Sequence, residues 1–464
     1  MPTQTSGAQR LQLPTQRAED QRAIEDLRGS GALVVDDRRR RPNYFDGRFL
    51  TASDLTREQN YFLTRQSDLG RAGGLGVARG LLVEAVSQGG DEALIAIGAG
   101  HGITAAGELV LLAEDVLLRL SDIPEMERLN ARLGLSRVPE MPARSRSGVF
   151  LLALRPVEFT ANPIASYPTS ITGSRSVEDS DIIEAVAITL MPYGGASAGL
   201  SAGERQARLA REIFVLNSAG GTPIDALPLA LICLERGRVA WVDPFLVRRE
   251  VGADQGDVLG LGFAPRAVRE AHLTQYRQHL RSVLELRAAN RQGARFAAAE
   301  HFGALPPAGE LPKDAISPGD FTQFFFPPAI DVDLAIIPDD ELAAMIEESY
   351  LLAPIDLAAG DDALESTSVV VLLSTPRANF RALKARLSDP PAAPDAPIVR
   401  ALRPAAPGML ARSRPLEVLA GLRLARRDLL GIVAPSAEAS PIDVAWQETL
   451  AAASGELLWY MRRR

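Results

Sequence analysis

The chain has 464 residues, 46% of them hydrophobic, which is enough apolar material for sizeable cores and for roughly two to four domains. With aromatics at 5%, those cores must rely on Leu, Val, Ile and Ala. A formal net charge of −8 argues against broad binding to nucleic acid or to an anionic membrane, both of which need a basic surface.

Lysine occurs only at Lys313 and Lys384, so arginine carries the remaining positive charge, and its planar fork suits carboxylate pairing at subunit contacts. The lone cysteine, Cys233, sits in the apolar run Pro228–Leu234. It allows no intrachain disulfide and is expected to act as a small buried hydrophobe. No apolar run reaches the ~18 residues of a spanning helix, and Met1–Gln21 is polar, without a signal core. The expectation is a cytoplasmic protein with no direct membrane insertion.

Residues 1–30 read as a flexible N-terminal tail rich in Gln, Thr and Ser, with a short helix over Ala18–Arg28 closed by Gly29 and Gly31. Asp36-Asp37 leads into Arg38–Arg41, a run expected to be solvated or subunit-contacting in so acidic a chain. Residues 31–125 form the next expected domain, a helix followed by strands. Asn43-Tyr44-Phe45-Asp46-Gly47 is an aromatic anchor entering a turn, since Asp-Gly is a strong turn dipeptide. Thr51 and Asp54 have capping-box spacing. The helix they open should run to about Leu69, with Leu55, Phe62 and Leu69 on one face at seven-residue spacing. Gly70, Gly73 and Gly74 end it. The period then becomes that of strands, expected at Val77–Val86, Ala93–Ile97 and Glu108–Leu112, with turns at Gly89-Gly90 and Gly98–Gly102.

Residues 126–252 form a second β-rich domain, with short strands at Gly148–Phe159 and Ile182–Met191 and a small-residue loop at Ala196–Gly203. A hairpin is expected from Pro228–Leu234 and Val239–Val242, turned at Arg236-Gly237-Arg238. Residues 253–303 contain a long helix over 265–302. There Leu273, Tyr276, Leu280 and Val283 alternate steps of three and four, the seam of a helix pair, expected to pack against a partner helix. Residues 304–389 read as an α+β module: strand Val332–Ile337, helix Asp339–Tyr350, strand Val369–Leu373 and helix Ala378–Leu387. Its Pro- and Gly-rich approach carries Phe321 and the triplet Phe324, Phe325, Phe326. Three consecutive aromatics cannot all enter one core, so the triplet is either a local core plug or a contact to another subunit. Residues 390–414 are a Pro/Ala-rich linker, and 415–464 read as mostly helical, ending in Trp459-Tyr460-Met461. The fold class is α+β and multidomain, with a mostly antiparallel, β-rich N-terminal half.

Chemical motifs are sparse, and each has a structural reading. Gly70–Gly80 superficially resembles a dinucleotide loop, but it follows a helix and precedes a strand, the reverse of the order that aims backbone amides at phosphate. Gly256, Gly260 and Gly262 precede a helix with no strand leading into them, and no Gly-Lys-Ser/Thr occurs. His272 and His279 are seven apart, whereas helical zinc ligands sit four apart with a third ligand nearby. They and His301 are expected to be packing or surface residues, and His101 lies in a turn. The carboxylate clusters Asp339-Asp340-Glu341, Glu347-Glu348 and Asp361-Asp362 fall at helix termini or in loops, where dipole complementarity and solubility account for them. Gly195-Ala196-Ser197-Ala198-Gly199 has Gly-x-Ser-x-Gly spacing but falls in the small-residue loop, and Ser366-Thr367-Ser368 and Ser374-Thr375 flank a strand. No catalytic residue, metal ligand or cofactor is expected, and the protein is expected not to be an enzyme.

One resemblance emerges. Pro42 to Asp54 (Pro-Asn-Tyr-Phe-Asp-Gly-Arg-Phe-Leu-Thr-Ala-Ser-Asp), followed by Glu58-Gln59-Asn60-Tyr61-Phe62, resembles a pattern of phage-tail and contractile-injection-system proteins. In that pattern an aromatic-Asp-Gly turn precedes a helix start, and a Gly-rich link leads to a strand like Gly76-Val77-Ala78-Arg79-Gly80-Leu81-Leu82-Val83. Gly98–Ile103 resembles the next turn but lacks its usual Asp. A second block, Leu305–Pro312, Phe325-Phe326-Pro327 and Leu351–Leu357, is similar to the later part of the same group. The start is also similar to the type VI secretion baseplate adaptor, whose N-terminal part resembles phage receptor-binding shoulder domains. Together the blocks cover about a third of the chain. The resemblance implies a non-enzymatic baseplate or tail-fibre adaptor subunit. It implies partners among tail and baseplate proteins, a homo-oligomer (a trimer being one state it allows), and a particle released from the cell or acting at its envelope. The candidate interface residues are Tyr44, Phe45, Asp46, Leu273, Tyr276, Leu280, Val283 and Phe324–Phe326. The alternative is a cell-surface or carbohydrate-binding module of the same particle, which predicts solvent-exposed aromatics in a groove. A third class, an enzyme such as a cell-wall hydrolase, needs clustered carboxylates or His ligands.

Overall fold

A computed structural model describes residues 14–34, 36–86, 94–123, 147–167, 175–194, 199–218, 221–236, 238–252, 262–387, 398–405, 441–453 and 455–463. The expected turn at Gly89-Gly90 and most of the C-terminal stretch read as linker and helix lie outside these residues. The architecture is α+β, with eight α-helices and mostly antiparallel sheets among the described residues. The chain divides into two compact units at Ala72/Gly73. The helix and the strands that the sequence groups in 31–125 therefore belong to different units.

Unit 1 holds α1 (Pro14–Gly29), which is longer than the expected Ala18–Arg28 helix, and α2 (Ala52–Gly73). Thr51 and Asp54 form the reciprocal cap their spacing predicts. The Asp54 N–H donates to Thr51 Oγ1 at 3.2 Å, and the Thr51 N–H donates to Asp54 Oδ2 at 3.3 Å. The Asp-Gly turn is closed by the Arg48 N–H on the Phe45 carbonyl at 3.1 Å, with Gly47 at φ +88°, a conformation glycine adopts without strain.

Unit 2 begins with six short strands: β1 (Gly76–Gly80), β2 (Val83–Ala85), β3 (Leu94–Ile97), β4 (Gly100–Ile103), β5 (Leu109–Leu112) and β6 (Val116–Arg119). They form two antiparallel sheets, ordered β1-β4-β5 and β2-β3-β6. The single strand expected over Val77–Val86 is thus two, broken where Leu81 takes φ +56°. The expected Gly98–Gly102 turn gives way to β4, so His101 sits in a strand opposite Arg79 and Leu111. The glycines here serve close backbone approach: a Cβ on Gly80 would lie 1.9 Å from the Ala99 carbonyl oxygen.

Next come β7 (Gly148–Ser166), β8 (Ser176–Pro192), α3 (Ala202–Phe214), β9 (Leu227–Glu235) and β10 (Arg238–Asp243), with sheet order β10-β9-β7-β8. β7 and β8 run far beyond the short strands expected of them. α3 begins at the end of the expected Ala196–Gly203 loop and continues to Phe214. It is opened by a Ser201/Glu204 capping box and buries Leu209, Ile213 and Phe214. β9 is buried on both faces, with Leu229, Ile232 and Leu234 in one cluster and Leu231 and Cys233 in another, which explains its unbroken apolar run.

The long helix α4 spans Arg266–Ala289, shorter than the expected 265–302. The rest of unit 2 contains β11 (Ala304–Leu305), β12 (Ala308–Pro312), β13 (Ile316–Ser317), β14 (Thr322–Gln323), β15 (Asp331–Pro338), α5 (Leu342–Ser349) and β16 (Ile355–Asp356). It continues through α6 (Asp361–Glu365), β17 (Ser368–Thr375), α7 (Arg377–Leu387), β18 (Ile398–Ala401), β19 (Arg403–Pro404), α8 (Pro441–Ala452) and β20 (Leu457–Arg462). A five-stranded sheet ordered β12-β20-β17-β15-β18 is its centre, parallel only between β15 and β17. Val332, Leu334 and Ile336 face one cluster and Ala335 and Ile337 the other, the period of two expected of a strand. Two expectations fail here. β18 and β19 lie within the stretch read as linker. The Trp459-Tyr460-Met461 end, read as helical, is strand β20 between β12 and β17. Its bulky alternating residues suit a pleated surface, and Tyr460 is fully buried.

Candidate interaction surfaces

The turn and α2 of unit 1 carry the clearest exposed apolar surface. Among the described side chains of residues 21–72, only Pro42 and Asp54 are buried. Phe45 is 65% exposed, Phe49 93%, Phe62 56% and Leu69 70%, while Leu55 and Tyr44 are about half exposed. Polar contacts hold this surface in place. Tyr44 Oη donates to Glu58 Oε2 at 2.6 Å, and Arg48 Nη2 donates to Asp54 Oδ1 at 2.6 Å. Arg39 pairs with Asp68 at 2.6 Å, and Arg41 lies 5.8 Å from the Tyr61 ring centre. The Thr51 hydroxyl, the Thr51 amide and Arg48 hold the Asp54 carboxyl below its ordinary value. Tyr44, Phe45 and Asp46 are therefore displayed, as the sequence expects of interface residues.

The α4 seam is not. Tyr276 is 1% exposed, Leu280 0% and Val283 6%, and all three belong to the main core of unit 2. Leu273 is half-buried. Tyr276 Oη donates to the Glu310 carbonyl, and its ring meets Phe302 and Tyr460. The seam that the sequence offers to a partner helix is filled by this chain's own β12, β20 and Phe302. A helix pattern names an apolar face; it does not say what covers it.

The aromatic triplet divides. Phe325 and Phe326 are each 1% exposed and plug the core, edge-on to each other and to Phe296 and Tyr460 respectively. Phe324 is half-buried under the Arg295 guanidinium, 4.3 Å from its ring centre. The interface reading of Phe325 and Phe326 is corrected accordingly.

Beside this plug lies a recess of about 770 Å³ between α3, the Ala297–Gly303 segment and the loop before α6. Phe326, Pro327 and Leu364 floor it. Part of its rim charge is engaged: Arg211 forks onto Asp356 at 2.7 and 2.9 Å, and Arg208 meets Glu212 at 2.7 Å. Glu204, Glu300 and Asp361 also line it, and among the described residues no histidine, cysteine, serine or lysine does.

The buried titratable groups are tied into packing. Asp243 is fully buried and accepts from Gln206 and Gln275 at 2.8 and 3.0 Å and from the Phe245 and Leu246 amides. Burial pushes its carboxyl up, against the pull of those four donors. This one side chain joins α3, α4 and the end of β10. His272 stacks on Phe214 with centroids 4.3 Å apart, and His279 meets Phe302 edge-on; burial holds both down at about 3, so both are neutral. Among the described residues no group of three or more His, Cys, Asp or Glu is placed to hold a metal ion. Among the same residues no helix is long and apolar enough to cross a membrane.

Sequence reasoning missed two surface features. The first is α3 with its recess, whose signal was Ser201-x-x-Glu204 ahead of Leu209 and Ile213. The second is the outer part of β7 and β8, where Val157, Phe159 and Ala161 alternate with polar residues.

No protein-family model matches the chain, and no curated protein is similar to it. Among solved structures, the chain is similar to a chain of the type VI secretion system TssK-TssF-TssG baseplate subcomplex. The identity is 12% and the TM-score 0.22, and the match covers 54% of this chain and 72% of that one.

Proposed function

We propose that the protein is a non-enzymatic structural subunit of a phage-tail-like contractile injection particle, a baseplate or fibre-adaptor component that works through protein–protein contacts. The observation that carries this reading is unit 1. It displays an ordered aromatic-Asp-Gly turn and a capped 22-residue helix, yet buries no apolar side chain besides Pro42 among those described. Isolated helices gain most of their stability from a packed apolar face, and this one has its face free for a partner. The motif that resembles tail and injection-system proteins falls on the same residues, Pro42 to Phe62.

The carbohydrate-binding alternative gains nothing from the recess, because Phe325 and Phe326 are packed into its floor and not open to a sugar face. The test is affinity purification of a tagged chain from its native cell, with mass spectrometry of what accompanies it. Recovery of tube, sheath and baseplate proteins, lost when Phe45, Phe49 and Phe62 are changed to Ser, is the expected result. Recovery of the chain alone from cells that contain such particles overturns the reading.

A further inference from the structure

The outer part of β7 and β8 has no support from the rest of the sheet. β9 pairs with β7 only from Gly148 to Leu154, whereas β8 pairs with it out to Ser166. Residues 155–166 and 176–187 thus form a two-stranded ribbon roughly 40 Å long, half-buried at its base (155–157 and 185–187) and mostly exposed beyond. Two-stranded ribbons are marginal in water, so an exposed one of this length needs another surface.

Its chemistry restricts that surface. Residues 155–187 hold five carboxylates, Glu158, Glu178, Asp179, Asp181 and Glu184, against Arg155 and Arg175. Arg155 is already engaged by Asp225. Glu158 and Glu184 stand directly opposite each other, and among the described residues neither forms an ion pair. Like charges in that position destabilise a sheet. The opposite face carries Phe159 against Ile183 and Val157 against Ala185, all partly exposed. The ribbon combines an apolar strip with a surplus of carboxylates, of which Asp179 and Asp181 accept hydrogen bonds from Thr160 and Asn162 while Glu158 and Glu184 face each other. Acidic β8 residues discourage ribbon-to-ribbon pairing and exclude nucleic acid, so the complement must be a basic protein surface.

This chain carries such a surface at the other end of the same sheet. A depression of about 720 Å³ is lined by Ser147, Arg205, Glu235, Arg236 and Arg238, three arginines around one glutamate. The Arg236 N–H donates to Ser147 Oγ at 2.9 Å, which fixes the depression at the start of β7. The ribbon leaves from the end of β7. From Gly148 to Phe159 is roughly 36 Å along the strand, so one molecule cannot fill its own depression.

We infer that the ribbon is an arm with which one copy of this chain grips the arginine-lined depression of a second copy, Glu158 and Glu184 meeting Arg236. The arm and the depression are different surfaces, so two copies that exchange arms close a two-fold dimer and a one-way contact builds a ring or a filament. It stands whether or not the chain belongs to an injection particle.

The test is light scattering on the full chain over a concentration series, with the thermal transition as a folding control. Wild type is expected above the mass of one chain. Glu158→Arg with Glu184→Arg, and separately Arg236→Glu, should each reduce it to a single chain, and mixing the two variants should restore association. Disulfide trapping gives a second readout, since the one native cysteine, Cys233, is buried. Glu158→Cys mixed with Arg236→Cys should give an interchain disulfide that neither variant forms alone. A monomeric wild type, a mass unmoved by either reversal, or no rescue and no disulfide on mixing overturns the inference.

Discussion

Two helices carry the same kind of apolar row and meet opposite fates. On α2, Leu55, Phe62 and Leu69 recur every seven residues and face solvent, whereas on α4, Tyr276, Leu280 and Val283 recur at three- and four-residue steps and are buried. The difference lies in what surrounds them. α4 has β12, β20 and the Phe302 segment of its own unit to fill the seam, and each fully buried Leu there contributes about 1.5–3 kcal/mol. In unit 1 the buried residues among those described are a proline and an aspartate, so its apolar row stabilises nothing until another surface covers it. The periodicity is a property of the helix; the cover is a property of the rest of the fold or of the assembly.

The contrast breaks most readily at Leu280. Leu280→Asp puts an unpaired carboxylate into the main core and should cost on the order of 5 kcal/mol, abolishing the cooperative thermal transition of unit 2. A variant that kept its transition and only lost mass would return α4 to the role of a partner-binding helix. The buried histidines come next. His272 and His279 titrate at about 3 in the folded chain against about 6.5 unfolded. Between those values the unfolded chain binds the protons that the folded one refuses, so stability falls as pH drops. From pH 7 to pH 5 each should cost about 2 kcal/mol, visible in denaturant midpoints, and His272→Phe with His279→Phe should flatten the slope. Asp243→Asn turns an acceptor toward two glutamine donors into a donor. It should loosen α3 against α4 by about 2 kcal/mol in a denaturant titration.

Unit 1 should respond more weakly. Thr51→Ala removes the cap and should fray the first turn of α2 by about 1 kcal/mol, read as faster amide exchange over residues 52–56. Asp54, held below its ordinary value, supports this turn above its unfolded pKa. It releases the turn as pH falls through its lower folded value, so exchange there should quicken in acid. Changing Leu55, Phe62 and Leu69 together to Ser should move unfolding of the chain by less than about 0.5 kcal/mol. Loss of stability beyond that would mean the row is already covered.

Local chemistry was legible in the sequence wherever a few neighbours decide it. The Thr51/Asp54 cap, the Asp46-Gly47 turn, the β9–β10 hairpin and the β15 and β17 strands all fall close to where their residues place them. What escaped was set at long range. Tyr460 reads as part of a helical end until β12 and β17 flank it, and Phe325 and Phe326 read equally as core plug or subunit contact until Phe296 and Tyr460 close over them. The ribbon escaped because its open faces give only half of an alternating pattern, and α3 because small residues precede its cap. Of the interface residues named from sequence, Tyr44, Phe45 and Asp46 are on display. Tyr276, Leu280, Val283, Phe325 and Phe326 are interior.

β20 sits between β12 and β17, pairing Leu311 with Leu458 and Val371 with Tyr460. During synthesis both neighbours emerge long before the strand that joins them. Roughly 90 residues separate β17 from the end of β20, on the order of 5–20 s of translation. For that interval β12 and β17 have open edges and the Tyr276 side of α4 lacks one wall. A nascent chain in this state presents unpaired strand edges, and a ribosome stalled between the two strands would leave an incomplete sheet. The sheet thereby times maturation: subunits that depend on unit 2 as a finished body can dock only after translation has passed Arg462.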